Sequence, residues 1–180
     1  MALHRLFVGL RPPSEIRTTL LGLMAGVPGA RWQDEEQLHC TLRFIGEVDR
    51  HRATDIAAAL GTIRHGPIEA RLSGVGAFDR KGRIEALWVG LAPREPLKHL
   101  HDKVERALAL AGVMPEMRAY RPHITIARFS RRSGPPLGAE AAIRPPPPLP
   151  VRFAEMLLYE STLGEEGARY TVASSYPLRG

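Results

Sequence analysis

The sequence predicts an α+β fold in which most strands pair antiparallel. Two apolar stretches, residues 68–78 and 84–91, flank the turn sequence Asp79-Arg80-Lys81-Gly82 and predict a hairpin. Residues 51–63 and 96–111 place apolar side chains at helical spacing and predict two amphipathic helices. Because helices and hairpins are mixed along the chain, antiparallel sheets fit the pattern better than a doubly wound parallel sheet.

Shorter signals predict the remaining elements. A first strand is predicted over residues 6–10, and a helix begins after it at Pro12-Pro13-Ser14. Further strands are predicted over residues 38–45, 122–129, 153–161 and 169–176. Residues 134–150 are predicted to form a loop, whose four consecutive prolines act as a stiff connector rather than as a ligand for a peptide-binding domain.

Length and composition narrow the class of protein. The 180 residues, 44% of them hydrophobic, suffice for one globular domain. No apolar run is long enough to span a membrane, and no signal-peptide pattern follows Met1, so we expect a cytoplasmic protein without a membrane partner. Cys40 is the only cysteine, which excludes an intrachain disulfide and a cysteine-rich zinc site.

The charge balance is basic. The net charge is +6, with 25 basic against 19 acidic residues, and such a surface attracts phosphates and polyanions. However, all but three of the basic residues are arginines, and an arginine-rich composition also results from a GC-rich genome. The charge alone therefore leaves a nucleic-acid partner open.

Two stretches share one pattern of histidine, any residue, threonine and an apolar residue. They are His39-Cys40-Thr41-Leu42 and His123-Ile124-Thr125-Ile126, and each lies in a predicted strand. Side chains alternate between the faces of a strand, so each histidine shares a face with its threonine, roughly 6 to 7 Å away along the backbone. A single copy of this pattern carries little information, but two copies in matching strand contexts predict a cleft floor with two imidazoles and two hydroxyls.

This set of groups suits the in-line displacement at a phosphodiester. Such a reaction needs a base near the attacking oxygen and an acid near the leaving oxygen, and histidine serves either role near neutral pH. Two threonine hydroxyls can donate hydrogen bonds to the non-bridging oxygens, where negative charge develops. We therefore expect a mechanism that needs no metal and no other cofactor.

On these residues the chain resembles the two-histidine phosphoesterase superfamily, and within it the RNA 2',3'-cyclic phosphodiesterases, also called 2'-5' RNA ligase-like proteins. The resemblance also covers the following stretches: Arg5-Leu6-Phe7-Val8, Arg31-Trp32, Phe44-Ile45-Gly46-Glu47-Val48, Gly76-Ala77-Phe78, Arg121-Pro122, Ala127-Arg128, Leu158-Tyr159-Glu160-Ser161 and Tyr170. It implies one bilobal domain over residues 1–180, with two antiparallel sheets facing a central cleft, helices outside and one motif per lobe.

The resemblance also implies residue roles. His39 and His123 are the catalytic pair, with His39 as acid and His123 as base, although the sequence alone cannot order two nearly identical motifs. Thr41, Thr125 and Arg128 are implied to bind the phosphate. Strand alternation puts Arg128 on the opposite face from His123, so a β-bulge near residue 127 is required to turn it inward.

Neighbouring residues are interpreted as structural. Arg43 has the alternation expected of a cleft residue, but we interpret it as a solvated surface side chain. Trp32 and Trp88 could stack on bases, although core packing is the favoured interpretation. His99 and His101 are two apart on a predicted helix and so form a poor metal pair.

The resemblance implies hydrolysis of RNA-terminal 2',3'-cyclic phosphates to 2'-phosphates, with RNA ends or nucleotide 2',3'-cyclic phosphates as partners. Alternatives are joining of RNA ends through a 2'-5' bond by reversal of the same chemistry, and a non-catalytic nucleotide-binding module. An ATP-dependent ligase is not favoured, because none of the three lysines lies in a Lys-x-Asp-Gly-like context. We expect a monomer with no obligate protein partner.

Overall fold

The computed structural model describes residues 2–180, which form nine strands and three α-helices. The strands are β1 (His4–Leu10), β2 (Arg31–Trp32), β3 (Cys40–Val48), β4 (Ile68–Arg80), β5 (Arg83–Ala92), β6 (His123–Arg128), β7 (Pro150–Phe153), β8 (Glu155–Gly164) and β9 (Gly167–Pro177). The helices are α1 (Ser14–Leu21), α2 (Arg50–Leu60) and α3 (Glu95–Leu110).

The helices begin and end where local chemistry allows. At the start of α2 the Asp49 carboxylate accepts a hydrogen bond from the backbone N–H of Arg52, which caps an otherwise unpaired donor. Pro96 lies in the first turn of α3, where its missing N–H costs nothing. Among residues 2–180, none of these helices has the length and apolar character that crossing a membrane requires.

All strand pairs are antiparallel, and the strands follow the order β7-β4-β5-β6-β3-β1-β8-β9, with β2 paired to β6 outside this path. The pairing between β3 and β6 is the shortest along this order, because the two strands pair only at Cys40 and Ile124. The predicted α+β fold with antiparallel sheets is confirmed, and the two expected sheets are the two halves that meet at this pair.

The two faces of the strands have different surroundings. One face carries the main core, which receives buried residues from all three helices and from both halves of the sheet, including Ile16, Leu60 and Leu100. The other face of the β1–β8 region carries a small separate cluster of Phe7 and Tyr159 with neighbouring side chains. The helices therefore cover one face and leave the other to form the cleft.

Sequence patterns located the long elements and missed the short ones. The structure adds β2 and β7, together with short 3-10 turns at Glu35–Gln37 and Ala139–Ala142. β2 has two residues, too few for an alternation pattern. β7 begins at Pro150, the last residue of the stretch 134–150 that was predicted to be a loop. Pro150 is tolerated there because β7 is an edge strand.

Candidate active site

The single pair between β3 and β6 brings the two histidine motifs together. Cys40 lies opposite Ile124, and both side chains are fully buried in the main core. Antiparallel pairing about this position sets Thr41 beside His123 and Thr125 beside His39, on the opposite face from the core. The two motifs, 84 residues apart in sequence, thus meet around an approximate two-fold axis.

The two imidazoles are held in the same way. His39 Nδ1 donates to the carbonyl of Gln37 at 2.7 Å, and His123 Nδ1 donates to the carbonyl of Arg121 at 2.7 Å. A ring nitrogen next to a carbonyl must carry the proton, so Nε2 of each neutral ring is free to accept one. At His39 this Nε2 accepts a hydrogen bond from the Thr41 hydroxyl at 2.9 Å.

Burial and nearby positive charge favour the neutral form of both rings. Burial lowers the pKa of His39 to about 4, and the charges of Arg128 and His123 act in the same direction, against a hydrogen bond to Gln37 that raises it. Burial also lowers the pKa of His123, with further lowering from Arg128 and Arg121. Arg128 therefore lies close enough to act on both rings.

Arg128 reaches this position through the required bulge. Thr125 pairs with Trp88 and Ala127 pairs with Leu87, which leaves Ile126 without a partner on β5. Ile126 and Ala127 are consecutive buried core residues, so the alternation shifts by one and Arg128 returns to the cleft face. The sequence expectation of a bulge near residue 127 is confirmed.

β3 contains a matching bulge. Arg43 pairs with Val8 and Thr41 pairs with Gly9, which leaves Leu42 without a partner on β1. The next cleft residue is therefore Phe44, which lies opposite Phe7 and is 59% exposed. Phe44 occupies the position in the first motif that Arg128 occupies in the second.

The same bulge explains why the interpretation of Arg43 as a solvated surface residue is wrong. Arg43 is only 7% exposed, because the shifted alternation turns it toward the helices. There its guanidinium forms an ion pair with Glu105 of α3 and donates to the carbonyl of Met114. Alternation over six residues cannot reveal such a reversal unless the bulge is already known.

Side chains and backbone behind the cleft donate hydrogen bonds to backbone carbonyls of the two bulged strands. His101 of α3 donates through Nδ1 to the carbonyl of Leu42 at 2.8 Å, and the Tyr120 hydroxyl donates to the carbonyl of Thr41 at 3.1 Å. The His101 and Tyr120 rings stack with their centroids 4.2 Å apart. In the other half the backbone N–H of Gln33 donates to the carbonyl of Ile126 at 2.9 Å.

Aromatic rings flank both histidines, a feature that the sequence did not indicate. The ring of His39 lies 4.8 Å from Phe7 and 5.2 Å from Tyr170, measured between centroids. His123 lies 4.8 Å from Phe78 and 6.0 Å from Trp88. Trp88 thus lies on the cleft face rather than in the core, and only its pairing with Thr125 across β5 and β6 reveals this.

The lone thiol and the remaining histidines do not add chemistry to the cleft. Burial raises the pKa of Cys40 to about 11, so the thiol stays neutral at pH 7 and packs behind the motif. Within residues 2–180, no group of three or more His, Cys, Asp or Glu side chains is arranged to hold a metal ion. The cleft does unite two imidazoles, two hydroxyls and one guanidinium, which can move protons and stabilise an anion.

Comparisons with known proteins agree with this geometry. The family model described as the 2'-5' RNA ligase superfamily matches residues 12–165. A protein of Aeropyrum pernix named RNA 2',3'-cyclic phosphodiesterase is 40% identical over 105 residues, which are 58% of this chain and 59% of that protein, so the match spans about three fifths of the relative.

Two further similarities extend over more of the chain. A Thermotoga maritima protein of the same name is 33% identical over 148 residues, covering 80% of this chain and 77% of that protein. The crystal structure of Escherichia coli LigT complexed with 3'-AMP superimposes with a TM-score of 0.78 at 25% identity, covering 99% of this chain and all of LigT. With the fold, both motifs and most of the length accounted for, the chain belongs to the 2'-5' RNA ligase superfamily.

Proposed function

We propose that the protein hydrolyses RNA-terminal 2',3'-cyclic phosphates to 2'-phosphates by acid–base catalysis without a metal. The observation that carries this proposal is the convergence of both histidine motifs on the Cys40–Ile124 pair, with Arg128 turned to the same face by the bulge at Ile126. The names of the similar proteins, RNA 2',3'-cyclic phosphodiesterase, support the substrate, and the LigT complex with 3'-AMP is consistent with a nucleotide site on this fold.

In the proposed reaction His123 is the base and His39 is the acid. Nε2 of His123 takes a proton from water as the water oxygen attacks phosphorus. Nε2 of His39, protonated, gives its proton to the departing 3' oxygen, which leaves a 3'-hydroxyl and a 2'-phosphate. After one turnover His123 is protonated and His39 is neutral. Proton exchange with solvent then restores the starting protonation states.

Thr41, Thr125 and Arg128 are proposed to bind the phosphate. The two hydroxyls donate to the non-bridging oxygens, and the guanidinium stabilises the charge that grows on them in the transition state. The negative charge of the bound phosphate lies close to the ring and favours a protonated His39. It acts against the lowering of the His39 pKa by burial and by Arg128.

A short RNA with a 2',3'-cyclic phosphate end tests the proposal. We expect one product, the 2'-phosphomonoester, which chromatography separates from its 3' isomer. His39→Ala and His123→Ala should each lower kcat about 10²- to 10⁴-fold, the usual contribution of one general acid or base. His99→Ala, an exposed histidine of α3, is the matched control and should keep the normal rate.

Two results would contradict this assignment. A 3'-phosphate product would mean that the bond between phosphorus and the 2' oxygen breaks, rather than the bond to the 3' oxygen. Near-normal turnover in either cleft variant would remove that histidine from the reaction. A protein that binds the RNA end but leaves it intact would instead be the non-catalytic nucleotide-binding module considered above.

We also propose that residues 1–180 act as a single bilobal domain, monomeric and located in the cytoplasm. The main core, which is shared by helices and by both halves of the sheet rather than divided between them, supports the single domain. One cooperative unfolding transition and a monomer mass by light scattering are the expected results.

A further inference from the structure

The short strand β2 brings a second arginine next to the proposed phosphate site. Arg31 pairs directly with Arg128 across β2 and β6, so the two side chains project from the same face of the sheet. Opposite residues in an antiparallel pair lie about 4.5 to 5.5 Å apart at Cα. Arg31 is exposed, and Arg128 is half-buried.

This juxtaposition is unfavourable without an anion. Like charges directly opposite each other destabilise a strand pair. Within residues 2–180, the ion pairs of this structure include neither Arg31 nor Arg128. No carboxylate in the described part of the chain therefore forms an ion pair with either guanidinium group, and two positive charges lie side by side at the edge of the cleft.

In the His39 half two arginines are neutralised, Arg11 by Glu36 at 3.0 Å and Arg17 by Glu35 at 3.1 Å. In the His123 half the facing arginines of β2 and β6 have no such carboxylate among the residues that the structure describes. The positive charge there continues to the exposed Arg131 and Arg132, on a loop where the carbonyl of Ser133 approaches Gly29, two residues before Arg31.

β2 is built to hold Arg31 in this position. Trp32 packs against the main core, and the adjacent backbone N–H of Gln33 donates to the bulge carbonyl of Ile126 at 2.9 Å. The Asp34 side chain then caps the following turn by accepting from the N–H of Gln37. The backbone that follows Arg31 is therefore anchored, while its guanidinium is in none of the ion pairs found among residues 2–180.

We propose that Arg31 binds the first internal phosphodiester of the RNA, on the 5' side of the terminal ribose, while Arg128 binds the reacting phosphate. The site would take a single-stranded RNA backbone that passes Arg31 at the edge of the cleft. This rests on the proposed cyclic phosphate hydrolysis, and it makes an oligonucleotide end a better substrate than a mononucleotide.

Two substrates that differ by one nucleotide isolate this contact. Cytidine 2',3'-cyclic phosphate lacks an internal phosphate, whereas the dinucleotide CpC with a 2',3'-cyclic phosphate end has one. For the unmodified protein we expect a KM about tenfold lower for the dinucleotide, the usual effect of one charged hydrogen-bonding contact. Arg31→Ala should abolish this preference by raising the dinucleotide KM, with kcat and the mononucleotide KM unchanged.

Charge and salt provide a second measurement. Loss of one phosphate contact should reduce the slope of log(1/KM) against log salt by about 0.7 for the dinucleotide. Arg31→Lys should restore most of that slope, since the slope depends on the number of phosphates neutralised by a positive charge, which lysine also supplies. Arg106→Ala is the matched control, because Arg106 lies exposed on α3 behind the sheet and its loss changes the net charge equally.

Each other outcome has a definite meaning. If Arg31→Ala raises the mononucleotide KM equally or lowers kcat, Arg31 binds the reacting phosphate and the proposal is overturned. If neither KM changes, Arg31 is only solvated, and the proposal again fails. If the unmodified protein hydrolyses neither substrate, the proposed function fails, and the Kd values of cytidine 2'-phosphate and of CpC with a 2'-phosphate end still measure the Arg31 contact.

Discussion

The neutral imidazole of His39 should make the folded protein sensitive to acid. Burial lowers the pKa of His39 from 6.5 to about 4, so the unfolded chain binds a proton at this residue more readily than the folded protein does. Stability from this group is therefore fully present above pH 6.5 and is lost as the pH falls toward 4. Between pH 7.5 and 4.5 the loss should be about 2 to 3 kcal/mol for His39 alone.

Urea denaturation followed by circular dichroism measures this quantity. The free energy of unfolding of the unmodified protein is compared at pH 7.5 and 4.5 with that of His39→Gln, whose side chain does not titrate. Other titrating groups, including His123, are common to both proteins and cancel in the difference. The variant should lose about 2 to 3 kcal/mol less on acidification than the unmodified protein.

A control and a refuting result complete the design. His99→Gln, which replaces an exposed histidine on α3, should leave the acid sensitivity unchanged. If His39→Gln and the unmodified protein lose equal stability between the two pH values, His39 is not kept neutral by its surroundings, and the account of its pKa is wrong.

Four further outcomes are expected. Arg43→Ala should cost about 3 kcal/mol in urea denaturation, because it leaves Glu105 half-buried and unpaired; a loss below 1 kcal/mol would show a dispensable pair. Hydrolysis of the cyclic phosphate should persist in EDTA, and loss of activity that a divalent ion restores would contradict the metal-free proposal. A plot of kcat/KM against pH should be bell-shaped with a maximum below pH 6.5, because both histidine pKa values are lowered; a steady rise to pH 9 would count against the pair. On an activated aryl phosphodiester with its aryl group in the place of the 3' oxygen, the deficit of His39→Ala should shrink while that of His123→Ala persists; the reverse pattern would exchange the two roles.

The sequence predicted features that depend on periodicity within one element. The hairpin around Asp79 and the long amphipathic helix α3 follow from spacing alone, and the structure has both. The family and the α+β fold with antiparallel sheets are likewise confirmed. The arrangement within the first motif also followed from alternation, since His39 and Thr41 lie within hydrogen-bonding distance of each other.

Features that depend on pairing between distant strands could not be predicted. The proximity of the two motifs results from one pair, Cys40 with Ile124, that no local pattern specifies. Trp88 was assigned to the core because its partner on β6 was unknown, and Arg43 was assigned to solvent because the bulge at Leu42 was unknown. At Arg128 the conflict between alternation and the implied role did indicate a bulge, so a local contradiction was informative.

The paired bulges at Leu42 and Ile126 also bear on how relatives of this protein should be compared. Each bulge adds one residue after the threonine, so the next side chain to enter the cleft stands five positions after the histidine. Phe44 and Arg128 hold these equivalent positions, one apolar and one cationic. Differences in substrate preference across the superfamily are therefore expected at the fifth position after each histidine. Simple strand alternation would assign the residue at that position to the interior rather than to the cleft.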